Sequence, residues 1–178
     1  MGEEAELQVT APEPGISAGS FDDFFRDRFA KVARTMMLVT GDFDAGEELA
    51  QEAFARTFAR WDRFATLEHA TNSVFAVAWN LARSRRRRDS RAKRAAGRAA
   101  AEMPPTDETA RVNERMVILA ALRELSRRQR ACVALVDYAG MSDREVAEIL
   151  GMRPPTVRVH LARGRARLRE ALRPGGDE

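Results

Sequence analysis

The sequence predicts an all-α protein of two small helical bundles joined by a flexible linker, the second bundle containing a helix-turn-helix. Apolar residues recur at steps of three and four, which is the period of an amphipathic helix. The first half shows no strand-like alternation of apolar and polar residues. The periodicity is interrupted around Pro104 and Pro105, which cannot continue a helix. A chain of 178 residues is long enough for two small domains.

The first predicted helix begins at Ser20, where a hydroxyl cap precedes the acidic first-turn residues Asp22 and Asp23. It ends at Gly41, as helices do when a glycine follows the last turn. A second helix is predicted over 44–60. Its apolar side is formed by Leu49, Ala53, Phe54, Thr57, Phe58 and Trp61.

A loop is predicted over 62–71, followed by a third helix that begins near Asn72 and continues into a run of arginines. The whole chain is then divided as follows: a disordered acidic tail over 1–19, a first bundle over 20–95, a linker over 96–111, a second bundle over 112–173 and a tail over 174–178.

The second bundle begins with predicted helices over 112–125 and 127–139. Ser142 and Glu145, three residues apart, form a capping box that starts the next helix. Gly151 ends that helix, and Pro154 opens the last one, where a missing N–H costs little. The residues of the last helix predicted to face the core are Val157, Leu161, Gly164, Leu168 and Leu172.

Charge is distributed unevenly along a chain whose net charge is only +3. Residues 1–23 contain six acidic residues and no Lys or Arg. Residues 83–98 contain nine bases and one acid, and residues 153–173 contain seven arginines and one acid. Two separate basic segments predict two contacts with a polyanion.

Several classes of protein are excluded by composition. No stretch approaches the roughly 20 apolar residues of a membrane helix, and the acidic N-terminus is unlike a secretory signal. Cys132 is the single cysteine and is expected in the core, and two histidines are too few for a structural zinc site. No Gly-rich phosphate loop occurs. We expect a soluble cytoplasmic protein with no cofactor, no bound metal and no membrane insertion.

The capped helix, the Gly turn and the helix opening at Pro154 follow the helix-turn-helix plan. The last helix carries Arg on its non-core side, and the planar guanidinium fork suits phosphate and guanine. DNA binding is therefore predicted, against the alternative of an ordinary helical hairpin with a solvated basic face. His160 is interpreted as a DNA contact or a surface residue rather than a metal ligand.

The first bundle combines two different surfaces. The arginine run follows a helix that bears Phe75 and Trp79, and bases beside aromatic rings are typical of single-strand binding. For Phe75 and for Trp61, which precedes the loop, a position in the core is the simpler interpretation. The start of the second helix is acidic, which complements the helix dipole but also repels DNA. That acidic face is predicted to meet a protein partner.

Three segments resemble the sigma-70-type transcription initiation factors. Residues 41–54 resemble the polymerase-binding helix of those factors, and 79–83 with the following arginines resemble the helix that reads the −10 promoter element. Residues 122–130 and 142–169 resemble the −35-binding domain. Two domains without further regions resemble the extracytoplasmic-function group.

The resemblance implies a factor without enzymatic activity that binds core RNA polymerase and promoter DNA and helps to melt the promoter. It assigns polymerase binding to Asp42, Glu48, Leu49, Gln51, Glu52 and Phe54. It assigns −10 contacts to the loop 62–71 and to Phe64, Trp79, Asn80, Arg83, Arg85, Arg86, Arg87 and Arg88. It assigns −35 contacts to Arg153, Pro155, Thr156, Arg158, His160, Arg163 and Arg165.

The chain departs from the family at a few positions. Gly46 stands where the family usually has Ala, and because a mid-helix Gly costs about 1 kcal/mol relative to Ala, a looser turn is expected there. Arg153 replaces the usual Ser cap of the last helix.

Two rival functions remain open from the sequence. A stand-alone helix-turn-helix regulator would use the first bundle for dimerisation or for a ligand, and would bind a symmetric operator. A nuclease would need a carboxylate cluster or a histidine beside a basic cleft. The apolar and arginine faces would also suit an anti-sigma protein that covers the DNA-facing surfaces.

Overall fold

A computed structural model describes residues 18–95 and 110–173, and every regular element within them is helical. The α-helices are α1 (Ala18–Thr40), α2 (Phe43–Phe58), α3 (Leu67–Ala95), α4 (Ala110–Arg123), α5 (Arg127–Val133), α6 (Asp143–Leu150) and α7 (Pro154–Ala171). A 3-10 turn, Trp61–Arg63, precedes α3, and a π-helical turn, Ala134–Tyr138, extends α5. The prediction of an all-α fold is confirmed.

The first two helices fold back on each other through a two-residue turn. Gly41 adopts a φ of 77° there, and its N–H donates to the Met37 carbonyl at 2.7 Å. The Asp42 carboxylate caps α2 by accepting from the Ala45 N–H at 3.0 Å. A Cβ on Gly46 would lie 2.5 Å from the Met37 nitrogen. The turn at Gly46 is therefore not loose, because the missing side chain lets α1 and α2 approach closely.

Aromatic rings fill the core of the first bundle. Phe54 is only 1% exposed, and its ring centroid lies between 5.1 and 6.4 Å from the rings of Phe21, Phe24, Phe25 and Phe29. The buried Trp61 ring adds contacts with Phe21 and Phe24 at 5.0 and 5.1 Å. Phe75 is buried too, so the core interpretation of Phe75 and Trp61 is confirmed. Phe58 lies on the apolar side of α2, with its ring centroid 4.7 Å from that of Phe21, but its side chain is 54% exposed at the edge of the cluster.

Two predicted boundaries are wrong. Helix α1 begins at Ala18, so Ser20 lies within the helix and is not its cap. Helix α3 begins at Leu67 rather than near Asn72, because the Thr66 hydroxyl accepts from the His69 N–H at 3.2 Å and so starts the helix earlier. The predicted loop 62–71 is consequently shorter, and its second half is the first turn of α3. Residues 18 and 19 of the predicted tail belong to α1, whereas the rest of that tail, the tail over 174–178 and most of the predicted linker lie outside the described residues.

The second bundle is held by short, well-capped helices. The predicted capping box of Ser142 and Glu145 is confirmed, and an unpredicted one joins Ser126 and Gln129 at the start of α5. Gly151 closes α6 with a φ of 64°. Cys132 is buried as predicted, and burial raises the pKa of its thiol to about 11. The prediction for Leu172 is wrong, because Leu172 is 42% exposed just beyond the end of α7.

The two bundles are in direct contact, which the sequence analysis did not predict. Helix α1 contacts α5 and the π-helical turn, and α3 contacts α6. The Arg123 guanidinium donates to the Gly41 carbonyl at 3.1 Å, and Asn72 of α3 and Glu145 of α6 line the same cavity at the junction. The buried apolar residues form one continuous cluster through both bundles.

No helix within the described ranges is long and apolar enough to cross a membrane. Residues 18–95 and 110–173 also contain no group of three or more His, Cys, Asp or Glu side chains that could hold a metal ion.

Candidate nucleic-acid interface

Helix α7 presents one face to the core and the opposite face to solvent. Val157, Leu161 and Gly164 anchor the inner face, and a Cβ on Gly164 would lie 2.9 Å from a methyl carbon of Val133 on α5. This close approach fixes the orientation of α7 on the bundle. The exposed outer face carries Pro155, Arg158, Val159, Ala162, Arg163 and Ala166.

Most of the residues predicted to contact the −35 element lie on or beside this outer face. Arg153, Pro155, Arg158 and Arg163 are exposed, and Thr156 is half-buried. Arg153 precedes the first residue of α7 and supplies no side-chain cap, as expected for a residue without a side-chain acceptor.

Two of the predicted −35 residues point elsewhere. The Arg165 guanidinium bonds the Asp137 carboxylate of the π-helical turn, with Nε and Oδ2 3.1 Å apart. His160 is half-buried near Arg128 of α5, and its Nδ1 has no hydrogen-bond partner within the described part of the chain. Burial, together with the charges of Arg128 and Arg163, lowers the pKa of His160. The neutral form of its imidazole is therefore favoured.

Val159 is a candidate that the sequence analysis missed. Its side chain is exposed between Arg158 and Arg163 on the outer face of α7. Its exposure could have been predicted from the helical period: positions 157, 161 and 164 face the core, so position 159 faces outward. Apolar side chains at such a position can contact a thymine methyl group.

The arginine run on α3 winds around the helix. Arg83, Arg85, Arg86, Arg87 and Arg88 are all exposed, but consecutive helical positions differ by about 100° in direction. Arg85 and Arg88 lie beside Glu48 and Glu52 of α2. Arg83, Arg86 and Arg87, together with Arg85, line a cleft toward α5. The members of the run therefore point to more than one side of α3.

The remaining −10 candidates differ in exposure. Asn80 is exposed, whereas Phe64 and Trp79 are half-buried. Phe64 packs against the Trp61 ring with the two centroids 6.2 Å apart. Trp79 lines the cleft toward α5, and its indole Nε1 has no hydrogen-bond partner within the described residues.

The cleft has a volume of about 640 Å³ and lies where the two bundles meet. Its walls bring arginines of α3 opposite Arg127, Arg128 and Arg130 of α5. The sequence analysis missed these three residues, although the run Arg127–Arg130 was a visible signal. Arg130 is half-buried, and burial together with the charge of Arg123 lowers the pKa of its guanidinium.

The predicted polymerase-binding residues of α2 divide into two groups. Gln51 and Glu52 are exposed and hydrogen-bond along the helix, with Glu52 bonded to Arg56 at 2.7 Å and Gln51 to Glu47 at 3.4 Å. Asp42 is exposed and caps the helix, and Glu48 pairs with Arg85, whose pKa is raised by that hydrogen bond. Leu49 and Phe54, also predicted to bind polymerase, are buried in the core at 5% and 1% exposure, unlike the other four residues.

A family model described as "Sigma-70, region 4" matches residues 115–168 of the chain. The RNA polymerase sigma-E factor of Streptomyces coelicolor is 30% identical over 152 residues, which cover 85% of each chain. The ECF RNA polymerase sigma factor SigM of Mycobacterium tuberculosis is 27% identical over 172 residues, covering 96% of this chain and 86% of that one.

Two solved structures share the fold. The sigma factor RpoE from Bartonella quintana, in complex with the anti-sigma factor NepR, gives a TM-score of 0.72 at 21% identity, covering 88% of this chain and 98% of that chain. CnrH in complex with the cytosolic domain of CnrY gives a TM-score of 0.65 at 18% identity, covering 88% and 89%. With the Streptomyces relative matched over most of its length, the chain belongs to the extracytoplasmic-function group of the sigma-70 family, the RNA polymerase sigma factors.

Proposed function

We propose that this sigma factor directs core RNA polymerase to its promoters through three surfaces: the outer face of α7, the exposed side of α3 and the exposed acidic side of α2. The single observation that carries the proposal is the outward face of α7. It presents Arg158, Val159 and Arg163 together on a helix held rigidly by Gly151, Gly164 and the capping box of α6.

Helix α7 is proposed to enter the major groove of the −35 element. The groove is wide enough for one helix, and the early turns of such a helix meet the base edges. Arg158 is placed to bond a guanine or a phosphate, and Val159 to contact a thymine methyl. Arg165 is bound to Asp137 and is not proposed as a base contact.

Helix α3 is proposed to meet the −10 element, with Asn80, Arg83, Arg86 and Arg87 toward the DNA. Arginine supplies charge for the strand backbone, and the partly exposed Trp79 ring supplies a flat surface next to it. Opening the duplex costs a few kcal/mol per unstacked base, which captured bases offset. No ATP hydrolysis is required for that step, and the factor is proposed to have no catalytic activity of its own.

The acidic side of α2 is proposed to dock on core polymerase. Asp44, Glu47 and Glu52 are exposed there and would repel DNA, and the exposed Gln51 amide lies beside them. Leu49 and Phe54 support this surface from the core rather than touching the partner. Because core polymerase acts on chromosomal DNA, we also propose that the factor works in the cytoplasm.

The experiment that tests these assignments is transcription by core polymerase with the purified chain, followed by sequencing of the 5′ ends of the transcripts. Arg158→Ala is expected to reduce transcription about tenfold, since one bidentate contact is worth about 1–3 kcal/mol. Arg169→Ala removes an exposed arginine near the end of α7 and serves as the matched control. Equal losses in the two variants would contradict base recognition by Arg158.

Docking is tested by charge reversal on α2. Glu52→Lys is expected to weaken binding to core polymerase, measured by co-purification. Asp23→Lys on the exposed side of α1 is the control for a general change of charge. Unchanged binding in Glu52→Lys would contradict the docking surface. Cleavage of DNA by the purified chain with Mg²⁺ would contradict the absence of catalysis.

An anti-sigma partner is proposed as well, because both structural relatives described above were solved in complexes with other proteins, in one case named as an anti-sigma factor. The arginine faces of α3 and α7 are the surfaces that such a partner would cover. Affinity purification of the tagged chain from uninduced cells is expected to return a partner besides polymerase subunits. Recovery of polymerase alone would count against it.

A further inference from the structure

The cleft between α3 and α5 carries a strong excess of positive charge. Seven arginines line it, against two carboxylates. Among the described residues, Arg85 is the only one of the seven with an ion pair, and its partner Glu48 lies on the neighbouring surface of α2. The seven residues are Arg83, Arg85, Arg86, Arg87, Arg127, Arg128 and Arg130. Like charges from two bundles therefore face one another across a gap.

Two buried donors in the cleft wall have no acceptor. Arg130 Nε and Trp79 Nε1 are both solvent-inaccessible and without a hydrogen-bond partner among the described residues. The Arg130 side chain lies close to the turn between α1 and α2, with its Nη1 3.0 Å from where a Cβ on Gly41 would stand. Buried donors normally find acceptors, so this wall is short of acceptor oxygens.

We propose that the cleft binds a ligand with a chain of two or more phosphoryl groups, which bridges the arginines of α3 to those of α5. Guanidinium groups bond phosphate bidentately, and a phosphate chain supplies many acceptor oxygens with several negative charges. The volume of about 640 Å³ falls within the roughly 300–1,000 Å³ range of small-molecule sites. Inorganic polyphosphate and nucleoside polyphosphates share this chemistry.

A bridging polyanion has a consequence for the contact between the bundles. It neutralises the facing arginines, so it binds the arrangement with the bundles in contact more tightly than any arrangement that separates α3 from α5. It also occupies Arg83, Arg86 and Arg87, which the proposed function assigns to DNA. The ligand and −10 DNA should therefore compete, and this second consequence alone rests on the proposed function.

The test is calorimetric titration of the full chain with inorganic tripolyphosphate, in the absence of polymerase and DNA. One molecule is expected to bind per chain, with a change in tryptophan fluorescence because Trp79 lines the cleft. Arg86→Gln on α3 and Arg128→Gln on α5 should each weaken binding about tenfold, the size expected for a charged hydrogen bond. Sulfate at matched ionic strength should not reproduce the binding.

Matched controls lie outside the cleft. Arg34→Gln on α1 and Arg169→Gln on α7 remove exposed arginines from the two bundles and should change the affinity less than twofold. Equal weakening in all four variants, or no saturable binding at all, would overturn the site. Weaker tripolyphosphate binding in Arg86→Gln but unchanged binding in Arg128→Gln would contradict a ligand that bridges α3 and α5.

The two sources of phosphate are separated by titrating ATP and GTP beside tripolyphosphate. Equal affinities for the nucleotides and tripolyphosphate would assign recognition to the phosphate chain alone. Tighter binding of a nucleotide would indicate an additional contact with its nucleoside. Because the titration needs neither core polymerase nor a promoter, its failure leaves the transcription assay unaffected. Failure of promoter-specific transcription likewise leaves the titration result standing.

Discussion

The two bundles reach stability by different means. The first places Phe54 amid four other phenylalanine rings and adds a buried tryptophan. The second has no aromatic residue among its buried described side chains and relies on leucine, valine, isoleucine, methionine and alanine. Its helices α5 and α6 have only seven and eight residues, and each begins at a capping box.

This difference determines how each proposed DNA-binding surface is held. Isolated helices shorter than about 12–15 residues are marginal in water, so α5 and α6 depend on their caps and on tertiary packing. The position of α7 then depends on hydrogen-bonded turns, whereas the position of α3 depends on large buried rings. Substitutions in the core of the first bundle should lower the free energy of unfolding most. Substitutions in the turns of the second bundle should lower it less but should still move α7.

The largest effect is expected from Phe54→Ala. Removing the central ring leaves a cavity among four rings and should destabilise the fold by about 3–5 kcal/mol, measured by urea denaturation followed by circular dichroism. Phe58→Ala is the matched control, since Phe58 is exposed and contacts only the edge of the cluster. A cost of Phe54→Ala no larger than that of Phe58→Ala would show that the aromatic cluster is not the source of stability.

A glycine in each bundle gives a sharper comparison. Gly46→Ala should destabilise by about 2–3 kcal/mol, because the new Cβ would meet the backbone of Met37 and backbone cannot yield cheaply. Gly164→Ala should cost less than Gly46→Ala, because the shortest contact of its Cβ, 2.9 Å, is with one side-chain methyl of Val133 rather than with backbone, and because Ala gains about 1 kcal/mol of helix propensity. Thermal unfolding of both variants checks the order, and the reverse order would contradict it.

The sequence predicts the local features of the fold well. The helical period located every described helix, and the patterns Ser142–Glu145 and Gly151 predicted the cap and the end of α6. The start of α3 was missed because a single Thr hydroxyl, that of Thr66, determines it.

Features made by residues distant in sequence were not predictable in the same way. The spacing of apolar residues along the chain does not show how two bundles pack against each other. The cleft arginines of α5 and the hydrogen bond from Arg123 to Gly41 were therefore not predicted. Motif position alone also assigned Leu49 and Phe54 to a partner, whereas the structure buries both side chains and packs Phe54 against the phenylalanine rings of α1. Which members of an arginine run share a cleft depends on the helix on the other side.

A smaller effect is expected at the caps of the second bundle. Ser142→Ala should cost about 1 kcal/mol, because the Glu145 N–H loses its acceptor at 3.3 Å. Ser126→Ala should cost a similar amount at α5. Hydrogen exchange should localise the loss to the first turns of α6 and α5, respectively. Exchange that rises equally throughout α1 and α2 would contradict a local role for the caps.

The same cap predicts a dependence on pH. Hydrogen bonds from the Ser142 side chain and backbone lower the pKa of Glu145 below its ordinary value. The unfolded chain then binds the proton more readily, so this contribution is full above the ordinary glutamate pKa, about 4.3, and is lost as the pH falls below it. Glu145→Gln should flatten that part of the stability curve. If the stability of the variant falls at low pH as steeply as that of the unmodified chain, Glu145 is not the source of this pH dependence.

The smallest effect is expected from Arg165→Gln. Its ion pair with Asp137 joins α7 to the π-helical turn, but both side chains are substantially exposed, so the pair should contribute at most about 1 kcal/mol. The value of the variant lies in separating fold from recognition. If Arg165 serves the fold, Asp137→Asn reproduces its effect and the double variant adds nothing further. If Arg165 instead contacts phosphate, the loss in −35-dependent transcription exceeds that of Asp137→Asn, and the salt dependence of DNA binding decreases by about one counterion. The bidentate geometry favours the first outcome, because the Asp137 carboxylate occupies the Nε–Nη2 edge of the guanidinium and offsets the charge that would attract phosphate.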